Sequence, residues 1–287
     1  MAIIPGLMTY SYHHSIREGR MSAERLCERC SELGLQSMEW CHFPCHEPGK
    51  VDWPQVEALS REAGARGVDC SLAGFAPLLA TGSHRERMLA MLRTQLEVSR
   101  HIGARRLRFH GMAELELGIG IPVPRERCLD NLRRVVALGE EFQVAIALEN
   151  HMDFRMVDFR YFFEHISSPY LWINLDTGNQ LPLFEDTIAF AREFADRIAS
   201  CHFKGCRFVW QDFGAVLTSC PPRASLVDLT ALLELLARTP RSIPTHIEVV
   251  AMTSDEEDPL VSQYAEFMRA FVAPHERATH RQNGPAR

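Results

Sequence analysis

The sequence has no uninterrupted run of about 18 apolar residues, so no transmembrane helix is expected. Its opening stretch, MAIIPGLMTYSYHH, lacks the basic n-region and the apolar h-region of a signal peptide. It reads instead as a first strand, and a cytoplasmic protein is expected. Positive charge is not in excess: 31 Lys and Arg stand against 37 Asp and Glu, a formal net charge of −6. That removes any global pull toward nucleic acid or an anionic membrane. Nine cysteines, an odd number in a long chain, do not make a disulfide framework. Cys27 and Cys30 form a CxxC, but no second pair accompanies it. It lies inside the helical pattern SAERLCERCSELG and is read as structural. The stretch Trp40-Cys-His-Phe-Pro-Cys-His46 could offer thiolates and imidazoles to a metal, and is read first as a loop after a strand. No internal repeat is visible.

Apolar residues are plentiful at 46%, and 287 residues suit one large domain. Short apolar runs alternate with longer amphipathic segments, the pattern of a parallel sheet with crossover helices. Expected strands are Gly6–Tyr12, Gln36–Trp40, Val68–Phe75, Arg105–Gly111, Val144–His151, Leu171–Gly178, Ala199–Gly205 and Thr245–Val250. Helices are expected to begin near Ser22, Asp52, Ser83, Pro124, Phe154, Pro182, Ser225 and Pro259. Ser22 and Asp52 are suited to N-caps, and Gly34, Gly67 and Gly103 to helix ends. Eight strands, each followed by a helix, close most naturally into a (β/α)8 TIM barrel, which needs about 250 residues. The expected catalytic domain is 1–274. The tail 275–287, HERATHRQNGPAR, is polar and expected to be disordered.

Barrel active sites lie at the C-terminal ends of the strands. There the fifth strand reads Ala-Leu-Glu149-Asn-His151, the sixth Asn-Leu-Asp176-Thr-Gly-Asn179, the seventh Ser-Cys-His202-Phe-Lys204 and the eighth His246-Ile-Glu248. A buried carboxylate is costly unless it is paired, protonated or bound to metal. Singly, each residue has a structural reading. Asp176 can cap a loop, Glu149 and Glu248 can pair with Arg108 or Lys204, and His202 can be a core histidine. Together, on four successive strands, Glu149, Asp176, His202 and Glu248 read as ligands of one divalent metal. Three carboxylates and an imidazole suit Mn2+ first, with Mg2+, Co2+ and Zn2+ as alternatives. Because side chains alternate, His151, Lys204 and His246 share faces with ligands, and Arg108 with His110. Glu149, Glu248, His151 and Lys204 are the catalytic candidates. Arg108, His110, His246 and Arg207 are the substrate-binding candidates.

The motifs Leu148-Glu-Asn-His151, Leu175-Asp-Thr-Gly178, Cys201-His-Phe-Lys204 and His246-Ile-Glu248 resemble those of the sugar isomerase/epimerase superfamily of xylose-isomerase-like barrels. The resemblance spans about residues 5–272 and implies the same metal quartet. It also implies a divalent-metal-dependent isomerase or epimerase of a small sugar or polyol, abstracting a proton next to a metal-bound carbonyl. The alternatives are a metal-dependent lyase or dehydratase on a keto-sugar, such as the catalytic subunit of a C-glycoside deglycosylating enzyme, and a non-catalytic barrel subunit. Departures are specific. Asn179 stands where the ketose epimerase branch has a His, and Phe208 where it has an Arg, with Arg207 one place early. The endonuclease branch needs histidines that Gly74 and Asn179 replace. The segment Cys206–Leu226 resembles the corresponding loop of members acting on oxidised or keto sugars, some of which work with a small β-rich accessory subunit. A sugar or keto-sugar substrate is therefore expected, with no nucleic acid and no membrane. A homo-oligomer or an accessory subunit is left open.

Overall fold

The computed structural model describes residues 3–41, 50–75, 77–212 and 214–282. The histidines and cysteine of 42–46 lie outside these residues. Eight parallel strands close into a barrel: β1 Ile3–Met8, β2 Ser37–Trp40, β3 Asp69–Phe75, β4 Arg106–His110, β5 Ala145–Glu149, β6 Leu171–Asp176, β7 Ile198–Phe203 and β10 Ile243–Ile247. Each pairs with its neighbour in sequence, and β1 closes on β10 through Ile3↔Ile243 to Leu7↔Ile247. The remaining strands, β8 Gly205–Gln211 and β9 Gly214–Cys220, form a separate antiparallel hairpin after β7.

Helices cover the outside: α1 His13–Arg17, α2 Ala23–Glu32, α3 Trp53–Ala65, α4 Gly82–His101, α5 Ala113–Leu117, α6 Arg125–Phe142, α7 Met156–His165, α8 Thr187–Glu193, α9 Leu229–Ala237 and α10 Ser254–Gln282. The expected caps form. The Ser22 side chain accepts from the Arg25 amide at 3.2 Å and Asp52 from the Gln55 amide at 3.1 Å. Gly34 and Gly103 end α2 and α4 with φ of 70° and 75°, a backbone that other residues seldom adopt. No helix among the described residues is long and apolar enough to cross a membrane.

Three differences from expectation go beyond shifts of a few residues at element ends. The first strand ends at Met8, and the chain turns through a 3-10 helix, Thr9–Tyr12, that was expected to be strand. The long connection after β7 is instead the β8–β9 hairpin. The last helix runs to Gln282, into the tail expected to be disordered, because extending an existing helix needs no new nucleus. Residues 283–287 lie outside the described residues.

Cys27 and Cys30 are buried where α2 packs on the barrel. Burial pushes the Cys27 thiol up to about 12 and raises Cys30 as well. Neither is a thiolate at neutral pH, so both act as small apolar fillers.

Candidate metal centre

Parallel register carries four donors to one place. Asp176 pairs with His202 between β6 and β7, and His246 with His202 between β10 and β7. Glu149 ends β5, and Glu248 lies one residue past β10. One donor atom each from Glu149, Asp176, His202 and Glu248 lies within 4.8 Å of all the others, and all four side chains are buried. His202 Nδ1 is 3.1 Å from Glu149, 3.6 Å from Glu248 and 3.9 Å from Asp176.

The surroundings hold these groups in place. Asn150 clamps the Asp176 backbone, donating to its carbonyl at 2.9 Å and accepting from its amide at 2.5 Å. Asp176 Oδ1 accepts from the amides of Gly178 and Asn179 at 2.8 and 3.0 Å. The loop-capping reading and the ligand reading of Asp176 thus use different oxygens. Gly178 is required by close approach, since a Cβ there would sit 2.5 Å from Cys206 Sγ. Thr177 Oγ1 ties β6 to β7 by accepting from the Lys204 amide at 2.9 Å and donating to its carbonyl at 2.5 Å.

A residue missed in the sequence reading completes the site. Glu39, at the end of β2, accepts from His202 Nε2 at 2.8 Å. It also lies 3.3 Å from Arg108 Nε, and Arg108 Nη1 lies 3.2 Å from Glu149. Arg108 borders the cavity, but its guanidinium is spent on two carboxylates. Lys204 Nζ sits 2.8 Å from Asp176 Oδ2 and 2.9 Å from Glu248 Oε2. The signal for Glu39 was present in Ser-Met-Glu39-Trp, an acid interrupting an apolar strand like those of β5 and β6.

Charge shows why a cation fits. Among the described residues, the carboxylates Glu39, Glu149, Asp176 and Glu248 form ion pairs with two permanent cations, Arg108 and Lys204, while Arg106 acts on Glu39 from further off. Protons make up part of the balance. Burial and the neighbouring Glu248 and Glu149 charges push Asp176 up to about 7, against the pull of Lys204. Burial opposes charge on His202, yet Glu39, Glu248 and Glu149 hold it protonated well above its usual range. Glu149 is held well below the usual carboxylate range by Arg108 and His202, which outweigh burial. Glu248 is likewise drawn down to about 2 by Lys204 and His202. Oxygen-rich donors with a surplus of negative charge suit a divalent cation, and the four residues fit one.

The quartet opens on a cavity of about 430 Å3 bordered by Tyr10, Arg108, His110, His151, Asn179 and Lys204. His110 and His151 stack with ring centroids 3.8 Å apart. Two expected substrate contacts lie elsewhere. His246 keeps the face of Glu248 but sits two residues, about 6.6 Å, deeper in the barrel. It is fully buried, 2.9 Å from Ser37 Oγ, and burial lowers it to about 3, so it is neutral. Arg207 is solvent-exposed on β8, where the alternating Cys206 and Phe208 face a cavity instead.

No curated protein matches the chain in sequence. Among solved structures, one of L-ribulose 3-epimerase superposes with a TM-score of 0.73 at 14% identity, covering 100% of both chains. The structure described as the probable 3-DHS dehydratase AsbF of Bacillus anthracis gives 0.70 at 13%, over 93% of this chain and 99% of that one. An IOLI protein with a bound zinc atom gives 0.69 at 12%, over 94% and 99%. At these identities the likeness is one of fold. A family model for the xylose isomerase-like TIM barrel matches residues 27–271, most of the chain. By fold and by sequence, then, the chain belongs to the xylose isomerase-like TIM-barrel family.

Proposed function

We propose that this protein is a divalent-metal-dependent isomerase or epimerase of a small sugar or polyol. The observation that carries the reading is the convergence of Glu149, Asp176, His202 and Glu248 within 4.8 Å at the mouth of a barrel cavity. The solved structures it resembles include an L-ribulose 3-epimerase and a D-allulose 3-epimerase, which supports a carbohydrate substrate.

A bound cation would supply Lewis acidity toward a substrate carbonyl and its neighbouring hydroxyl, making the α-carbon proton easier to remove. The protein's own groups do the rest. Glu149 and Glu248 are kept ionised by Arg108 and Lys204 respectively, each with His202, so each stands in the unprotonated form that a proton acceptor needs once the α-carbon is acidified. They come from strands separated by β6 and β7, which lets one take the proton and the other return it. Return to the opposite face gives epimerisation, and return to the neighbouring carbon gives isomerisation. His110 and His151, paired on the cavity wall, are placed to orient hydroxyls or relay the proton. Mn2+ is the first cation to supply.

The test is a screen of Mn2+-supplemented protein against keto-sugars and inososes in D2O. Deuterium incorporation at the α-carbon is expected for at least one of them. Absence of exchange across the panel with Mn2+, Mg2+, Co2+ and Zn2+ overturns the proposal.

A further inference from the structure

Among the described residues, the strongly exposed large hydrophobic side chains are not scattered over the molecule. Every one of them lies in a connection that follows β4, β5, β6, β7 or β10, or in the first turn of the helix beyond it. That is one side of the C-terminal face of the barrel. The remaining described helix surfaces and the opposite face carry none. Single exposed hydrophobics need no explanation, but their collection on one side of one face does.

The side chains form one patch. Ile119, Phe208, Val216, Val250 and Met252 border a single cavity. The Arg155 guanidinium donates to the Gly120 carbonyl at 3.3 Å and to the Leu183 carbonyl at 2.8 Å, which joins the loop of Ile119 to that of Phe184. On the β8–β9 hairpin, Cys206, Phe208 and Trp210 share one face with their partners Ser219, Leu217 and Ala215. Cys206 and Phe208 border the cavity at the base of that face. Trp210, nearer the tip, borders neither this cavity nor the one over the quartet, and it is 76% exposed. Phe184 is 95% exposed. Two aromatic rings thus point away from their own chain.

Area and charge indicate what covers them. At their exposures these side chains present about 1,000 Å2 of apolar surface, taking roughly 200 Å2 for one large side chain. The largest apolar patch of a typical monomer is about 300–600 Å2. A standard stable interface buries about 800 Å2 on each partner. In a two-fold contact each patch meets its own copy, so charges near the axis would meet their like. Among the described residues bordering the cavity in this patch, Lys204 carries the one formal charge, and it is held by Asp176 and Glu248. Arg207 lies on the other face of β8, exposed to solvent. A chain of net charge −6 can therefore meet its own copy here without bringing like charges together.

We propose that two copies of this chain pack through this patch about a two-fold axis, each covering the other's Trp210 and Phe184. The contact holds whatever reaction the quartet serves.

The experiment is sedimentation velocity on the full-length, Mn2+-supplemented protein, diluted stepwise. A species of twice the chain mass is expected, giving way to the single chain on dilution. Trp210→Glu and Phe184→Glu, both at exposed positions and with folding verified by circular dichroism, should each weaken the dimer by about tenfold or more, the scale of a central aromatic anchor. Hydrogen exchange in β8 and β9 should be slower in the unmodified dimer than in the Trp210→Glu variant. The mass of a single chain at every concentration overturns the proposal and leaves the patch to a different partner. A dimer that neither substitution weakens overturns it as well, because its contact then lies elsewhere.

Discussion

Glu39 and His202, 163 residues apart in sequence, meet inside the barrel with His202 Nε2 donating to Glu39 Oε1 at 2.8 Å. That bond leaves Nδ1 facing Glu149, Asp176 and Glu248. A carboxylate behind a histidine ligand fixes its tautomer and ring orientation, and its loss typically weakens metal binding by roughly 10–100-fold. Glu39→Gln should therefore lower Mn2+ affinity on that scale, as read by titration. Unchanged affinity in a folded variant would show that the ring is oriented by something else.

Metal affinity should rise with pH. Asp176 is pushed up to about 7 and His202 is held protonated above its usual range. Below about pH 7 both carry protons that a cation must displace, while Glu149 and Glu248 are already ionised. Each displaced proton makes affinity change by about tenfold per pH unit. Calorimetry in buffers of different ionisation enthalpy should show net proton release between pH 6 and 8. Affinity independent of pH over that range contradicts this charge balance.

How much of this was legible from sequence depended on burial. An ionisable residue interrupting an apolar run gave away Glu149, Asp176, His202 and Glu248, because a buried charge is rarely accidental. Glu39 carries the same signature, but in a strand of only four residues, SMEW, too short a run for its interruption to stand out. Alternation found the face of His246 correctly and said nothing of its depth, which the barrel's layered interior decides. The hairpin was hidden because its strands leave many residues exposed and so lack the burial pattern of the barrel strands. Turn-prone Asp212 and Gly214, between the β-prone runs Phe208-Val-Trp210 and Ala215-Val-Leu217, were the available clue. Arg207 was misplaced with it, since its facing depends on that hairpin register.

The CxxC should be dispensable for chemistry. Cys27 and Cys30 are fully buried on α2, with thiols raised by burial. The Cys27→Ser/Cys30→Ser variant should keep wild-type metal content and lose roughly 1–3 kcal/mol of stability, the cost of burying poorly paired hydroxyls. Thermal unfolding and elemental analysis check the two halves. Loss of metal confined to this variant would relocate the site.

Proton transfer can be assigned by parallel substitution. Glu149→Gln and Glu248→Gln keep size and one oxygen donor but remove the base. Each should retain some metal and lose about 10²–10⁴-fold in α-proton exchange. His151→Asn and Lys204→Met are made alongside, since both side chains border the same cavity. Wild-type exchange in both Gln variants, with none in His151→Asn, would move the acid–base role to His151.

The central claim is that one divalent cation sits in the quartet. Elemental analysis of purified protein reconstituted with Mn2+ tests it directly, with Asp176→Ala measured beside it and folding verified by circular dichroism. The account predicts a stoichiometry near one per chain in the unmodified protein and little or none in the variant. No metal uptake, or uptake that Asp176→Ala leaves unchanged, would contradict it.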